Sequence, residues 1–326
     1  MPRWKVRDPE HGVDMDVDVE SVGGGKVVID AVQAVLSGEM CARGIWVIIP
    51  GLGEPEIARK MGWVWSNISR IRATISREWY LFIMIAQYSD AVSTHIDPLH
   101  RYPRLRRVIW CTRHHRPSYL GSFLREEMRP EWIHPRVMGV LVLLDDVEIE
   151  ASFDLSRLMA RMEMEDLHTI SPCLSRASVS CHWFMHTQFP VPRKTFRRTN
   201  FVELFCQLFT VHGYTQWHRL LLPFTTYLWG VDMAMHHQGF RMGILETMSV
   251  VHHLSSQDTT RVSPVYRKMQ EECARYTRVY KNHIAYKFRN LWIVQHPSRS
   301  PLPVLRTDES RINPRYDIRH PPPPDP

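Results

Sequence analysis

Three runs of uninterrupted apolar residues constrain this chain more than any other feature. They are Ile45–Ile49 (IWVII), Trp79–Tyr88 (WYLFIMIAQY) and Val137–Leu144 (VMGVLVLL). A strand with one wet face alternates polar and apolar residues. A run apolar at nearly every position must be covered on both faces, which parallel sheets achieve with flanking helices. The intervening segments supply those helices. Trp65–Ser76 sets Ile68, Ile71 and Ile75 at helical spacing, Pro117–Met128 opens on a proline, and Asp154 caps an amphipathic helix reaching Leu167. Arg107–Cys111 and His168–Cys173 read as shorter strands. The rhythm predicts an α/β fold: a mostly parallel, Rossmann-like sheet with helices on both faces. Ligands of such sheets bind beyond the carboxyl ends of the strands. Pro50-Gly51, Ser89-Asp90, His114-His115-Arg116 and Asp145-Asp146 all follow strands and mark that edge.

The 326 residues leave room for extensions around one large domain. Residues 1–43 hold an acidic stretch from Asp8 to Glu20, then Gly23-Gly24-Gly25, and read as an extension or linker with a short helix near Ile29–Leu36. Residues 44–255 form the main domain. Within its second half Phe201–Val211 is apolar and aromatic, Tyr227–His237 reads as helix, and Met242–Val251 ends in a strand. Residues 256–297 hold a basic helix opening at Ser263-Pro264, and 298–326 form a proline-rich tail expected to be disordered. No window offers the roughly 18 apolar residues of a membrane span, and the charged N-terminal segment does not resemble a secretory leader. Six dispersed cysteines without a CxxC pair read as reduced thiols, hence a cytoplasmic setting. The +7 net charge favours an anionic partner.

Chemistry concentrates in Leu143–Glu148 (LLDDVE). Two carboxylates ending a buried strand suit a hard divalent cation, Mg²⁺ or Mn²⁺, which takes one or two carboxylates plus substrate phosphates. Taken alone, such a pair more often simply starts a turn. Positive charge gathers between Arg101 and Arg129, where eight arginines face two acids, and Arg116, ahead of a helix start, is the best placed for a diphosphate. His182 and His186 lack the glutamate or paired cysteines of a metal site, and His236-His237 read as lining or surface. Phe184, Phe189, Phe196 and Phe201, interleaved with basic residues, read as a mobile loop near the acceptor ahead of a nucleic-acid platform.

Six segments, in order, resemble a GT-A-type, nucleotide-sugar-dependent glycosyltransferase: VIIPG (47–51), AQYSD (86–90), TRHHRPS (112–118), LLDDVEIE (143–150), ISPCLS (170–175), and ELFC (203–206) with WGVD (229–232). The likeness, about residues 44 to 255, is to glycosyltransferase-like proteins of algae and their large DNA viruses. It implies that DDV stands for the metal-binding DxD motif, although Leu144 occupies the place of its first aspartate. Asp146 is then the main metal ligand, and Asp145 contacts the ribose or holds the metal through water. His253 or His252 completes the metal shell, and Asp232 activates the acceptor. Pro50, Gly51, Asp90, His115 and Arg116 become donor-binding positions. The expected donor is a UDP-sugar, or a GDP-sugar, and the acceptor a glycan or glycoprotein hydroxyl attacked with inversion. The rivals are a non-catalytic or nucleic-acid-binding protein using the same basic surface, and a nucleotidyltransferase.

Overall fold

The computed structural model describes residues 3–8, 13–18, 43–52, 57–87, 107–114, 120–178, 185, 195–253, 264–280, 290–294 and 304–307. Strands β1 (Arg3–Asp8) and β2 (Val13–Asp18) precede β3 (Arg43–Leu52), helix α1 (Ile57–Thr74), β4 (Trp79–Gln87), β5 (Val108–His114) and α2 (Leu120–Glu127). Then follow β6 (Val137–Leu143), β7 (Val147–Ile149), α3 (Leu155–Met164), β8 (Thr169–Leu174), β9 (Phe196–Thr199) and β10 (Cys206–Phe209). The chain continues through α4 (Val211–His218), α5 (Val231–His237), β11 (Met242–His252), α6 (Pro264–Val279), β12 (Asn290–Val294) and β13 (Val304–Thr307).

The apolar runs become the middle of one sheet, ordered β13-β12-β9-β11-β8-β10-β6-β3-β4-β5-β1-β2, with β7 pairing β11. β6, β3, β4 and β5 are parallel neighbours, and β8 and β11 form a second parallel pair. The described residues of β4 within Leu81–Ala86 are fully buried, as is β3 beyond its first residue. Both faces are therefore covered, as a continuous apolar strand requires. The other ladders are antiparallel, so the sheet is mixed, with its largest parallel block in β6, β3, β4 and β5. Because β10 runs against both β6 and β8, and β11 runs with β8, the ends of β6 and β11 and the start of β10 share one edge.

Two sequence readings change in the fold. Pro50-Gly51 do not form the turn after β3 but lie buried within its last residues, where the register with β4 shifts between Ile49 and Leu52. That irregularity accommodates a residue with no N–H to give the ladder. The acidic stretch Val13–Asp18 is not a linker but the outer strand of a hairpin joined to β5 through β1. Its register sets Arg3, Lys5 and Arg7 opposite Asp18, Asp16 and Asp14. The expected helix near Ile29–Leu36 lies outside the described residues, and β13 falls within the proline-rich tail. Among the described residues no helix is long and apolar enough to cross a membrane.

Helix α1 fixes the edge that matters. Its buried stripe of Met61, Val64, Trp65, Ile68 and Ile71 packs into the core. The same helix carries one fully buried polar residue, Asn67, whose amide donates to the Val147 carbonyl at 2.6 Å and accepts from the Ile149 N–H at 2.8 Å. One side chain thus replaces a ladder partner for β7, the strand that directly follows Asp145-Asp146. Replacing Asn67 with Leu leaves two buried backbone groups unsatisfied. The expected loss is about 2–4 kcal/mol, read as a lower urea midpoint at unchanged m-value.

Candidate functional site

The shared edge gathers several titratable side chains. Asp146 leaves the end of β6 and meets the end of β11: its carbonyl accepts the His253 N–H at 2.8 Å, and its Oδ2 lies 3.4 Å from His252 Nε2. The other carboxylate oxygen, Asp146 Oδ1, is buried and finds no hydrogen-bond partner among the described residues, and the same holds for His252 Nδ1. Buried polar atoms are seldom left unmatched, and such orphans need a cause. Burial works against the imidazolium of His252, but the hydrogen bond and charge of Asp146, followed by Glu203 and Asp145, outweigh it and raise its pKa. Phe205 lies along the ring of His252, with centroids 6.2 Å apart.

Asp145 has a different partner. Its Oδ2 lies 2.8 Å from Lys60 Nζ, on the first turns of α1. Burial pushes the Asp145 carboxyl up to about 7; Lys60 opposes the rise and Asp146 adds to it. Adjacent carboxylates cannot both stay charged cheaply in a dry site, and Lys60 relieves that conflict. His253 turns away from Asp146: its Nε2 lies 3.2 Å from Glu148 Oε2, and its ring stacks on Trp63 at 4.2 Å and 5°. The Arg59 guanidinium lies 4.8 Å from the centre of the Trp63 ring.

Asp232 is the second residue of α5, half-buried, with its Oδ1 accepting the Met233 N–H at 2.8 Å. The helix is capped at Gly230, in a left-handed conformation with φ 99°, so Asp232 is not the N-cap. Gly230 packs closely on α6: an added Cβ would sit 2.8 Å from Tyr276 Cβ. Burial, reinforced by the charge of Glu203, pushes Asp232 up to about 7. The charge of Glu203 acts on both Asp232 and His252.

Of the sequence-predicted residues, the structure brings together Asp145, Asp146 and His252, with His253 adjacent but otherwise engaged. Pro50 and Gly51 lie at the end of β3. Asp90, His115 and Arg116 lie outside the described residues, as do His182 and His186. His236 and His237 are exposed at the end of α5. Three arginines of the basic cluster donate to the backbone: Arg107 to the Glu78 carbonyl, Arg125 to those of Leu222 and Pro223, and Arg129 to that of Glu126. Sequence reasoning missed Lys60, Trp63 and Glu203. Lys60 and Trp63 were accessible in principle, since the helix after a parallel strand starts at the strand's carboxyl edge.

Among the described residues no group of three or more His, Cys, Asp or Glu side chains could hold a metal ion. The fit to a divalent cation is therefore that of a two-ligand seat, Asp146 with His252, completed by oxygens from a substrate and water. Mg²⁺-type sites are commonly built that way.

No protein family matches this sequence, and no curated protein does. Among solved structures, the chain is similar to GalNAc-T7 with UDP, GalNAc and Mn²⁺ (TM-score 0.50, 13% identity, 73% of this chain and 50% of that one). The fold is GT-A-like. This chain spans half the length of that protein. Other matches are mouse xyloside xylosyltransferase 1 in its apo form (TM-score 0.34, 12% identity, 63% and 79% coverage) and 4-diphosphocytidyl-2C-methyl-D-erythritol synthase from Anaerococcus prevotii DSM 20548 (TM-score 0.38, 12% identity, 74% and 98%).

The environment of Asp232 has a measurable consequence. With its folded pKa near 7 and an ordinary unfolded value, the native state binds the extra proton between about pH 4 and 7. Stability from this group is full below about pH 4 and is lost as pH rises through about 7. Asp232→Asn keeps an acceptor for Met233 and does not titrate. Its melting temperature relative to the parent should therefore climb from pH 4 to 7 and level off above, as thermal unfolding across that range would record.

Proposed function

We propose that this protein is a metal-dependent glycosyltransferase that moves a sugar from a UDP-linked donor to a hydroxyl of a glycan or glycoprotein, with inversion. The observation that carries this reading is the pairing of Asp146 with His252 at the carboxyl edge of a GT-A-like sheet, each with a buried polar atom unpartnered among the described residues. The catalytic domain is residues 44–255. UDP and Mn²⁺ are favoured because the GalNAc-T7 structure holds both.

Asp146 and His252 would hold the cation, which when bound neutralises the charge growing on the departing diphosphate. Asp145, tied to Lys60, contributes little net charge to that seat. Asp232 accepts the proton of the acceptor hydroxyl. The hydroxyl oxygen bonds to the anomeric carbon from the face opposite the diphosphate, and the sugar–phosphate bond breaks with its electron pair on the nucleoside diphosphate. A carboxylate with a pKa near 7 suits a base at neutral pH, stronger than an ordinary aspartate yet still ionised in part.

Incubation with a panel of nucleotide sugars and Mn²⁺ tests the reading through nucleoside diphosphate release. Pyrophosphate as the product would mean a nucleotidyltransferase, and no consumption of any donor would remove the assignment. The rate should rise with pH through about 7, as Asp232 loses its proton. Asp232→Asn should retain donor binding while transfer falls at least a hundredfold.

The metal assignment makes a separate demand. Asp146→Asn should abolish Mn²⁺-dependent UDP binding with the fold intact. His252→Ala should weaken Mn²⁺ at least tenfold, whereas His253→Ala should leave it within threefold, because His253 is held by Glu148 and Trp63. Calorimetric titration distinguishes these outcomes.

A further inference from the structure

The stretch Leu220–Gly230 leads directly into α5 and Asp232, and its backbone groups find partners on two helices. On one side α2 serves the carbonyls: Arg125 donates to Leu222 and Pro223 at 2.9 Å each, and the Gly121 N–H donates to Thr226 at 3.0 Å. Contact here is close, since a Cβ on Gly121 would lie 2.7 Å from the Thr225 carbonyl oxygen. On the other side α6 serves the amides. Glu272, only 4% exposed, accepts from Thr226 at 2.7 Å, Tyr227 at 2.9 Å and Trp229 at 3.1 Å. One turn later Tyr276 donates to the Leu220 carbonyl at 2.8 Å and pairs with the Thr225 hydroxyl.

Successive amides converging on one point form a nest for an anion, and here the anion is a side chain of the protein. The turn it gathers is unfavourable on its own. Leu228 has φ 66°, a conformation that costs a residue with a branched side chain, and Gly230 follows at φ 99°. A turn with two left-handed residues in three positions holds its shape only when its surroundings impose it. Its product is the start of α5 at Val231, one residue before Asp232. At Cys273, next to Glu272, burial first, then the charges of Asp232 and Glu272, push the thiol up to about 12.

We propose that Glu272 is a positioning residue for Asp232: by gathering the amides of Thr226, Tyr227 and Trp229 it fixes the turn that aims the first helical turn of α5, and so makes α6 part of the transfer site. The inference rests on Asp232 being the base. It extends the functional unit past residue 255, where the sequence resemblance stops.

Glu272→Gln and Glu272→Asp, made in the full chain, test it. Gln keeps the shape but turns an NH₂ toward the amides; Asp keeps the charge but shortens the reach. Hydrogen exchange should speed at least tenfold across residues 226–231 in the Gln variant and less in the Asp variant, with β3 and β6 unchanged. The kcat for acceptor-dependent release of UDP should fall in the same order, ten- to hundredfold for Gln, with the KM for the nucleotide sugar within twofold. The double variant with Asp232→Asn should be no slower than Asp232→Asn alone. Unchanged exchange in the turn, an opened turn with kcat within twofold, or a KM that rises as kcat falls would each overturn the proposal. Asp232→Asn with a protected turn isolates the base assignment: near-full transfer there removes that reading whatever the Glu272 series does.

Discussion

Desolvation at the carboxyl edge of the sheet governs the rest of this molecule. Strands buried on both faces end abruptly, and the residues that follow must be polar enough to meet solvent or ligand while still touching the core. Asp145, Asp146 and Glu203 occupy that boundary, the charge of Glu203 bears on Asp232 as well, and such carboxylates cannot sit in dry surroundings without compensation. Lys60 compensates Asp145, His252 approaches Asp146, and Asp232 rises toward neutrality. The residual imbalance, two buried atoms without partners among the described residues, is the local inconsistency that functional sites tend to retain.

How much of this was legible depended on the range of the interaction. The central strands were readable because uninterrupted apolar composition is a local signal, and Asp154 was readable as a cap because capping is local too; its side chain accepts the Arg157 N–H at 3.0 Å. Asp145-Asp146 could be found because a strand's end is visible in sequence. The roles of neighbouring residues were not. His252 and His253 are adjacent and chemically identical, and only the alternation of side chains along β11 sends one toward Asp146 and the other toward Trp63 and Glu148. Arginines 107, 125 and 129 read as an anion-binding cluster because composition cannot reveal that their targets are carbonyls up to nearly one hundred positions away.

The same limit hid the second parallel pair. β8 and β11 are separated by β9 and β10 in sequence, and β10 inserts between β8 and β6 running the other way. Local pattern gives the existence of such strands but not their order, which long-range ladders decide. That insertion brings Glu203, just before β10, beside the ends of β6 and β11.

The hairpin of β1 and β2 has a consequence for how molecules of this protein meet one another. β2 is the outermost described strand at its end of the sheet, with Asp14, Asp16 and Asp18 at every second position. A second copy adding its own β2 to that rim would set acidic positions of the sequence opposite acidic positions. Like charges directly across a ladder repel, and charged rims are one way sheets refuse further strands. An acidic segment in an otherwise basic chain thus stands at the rim of the described sheet, at positions where a ladder disfavours a like-charged partner.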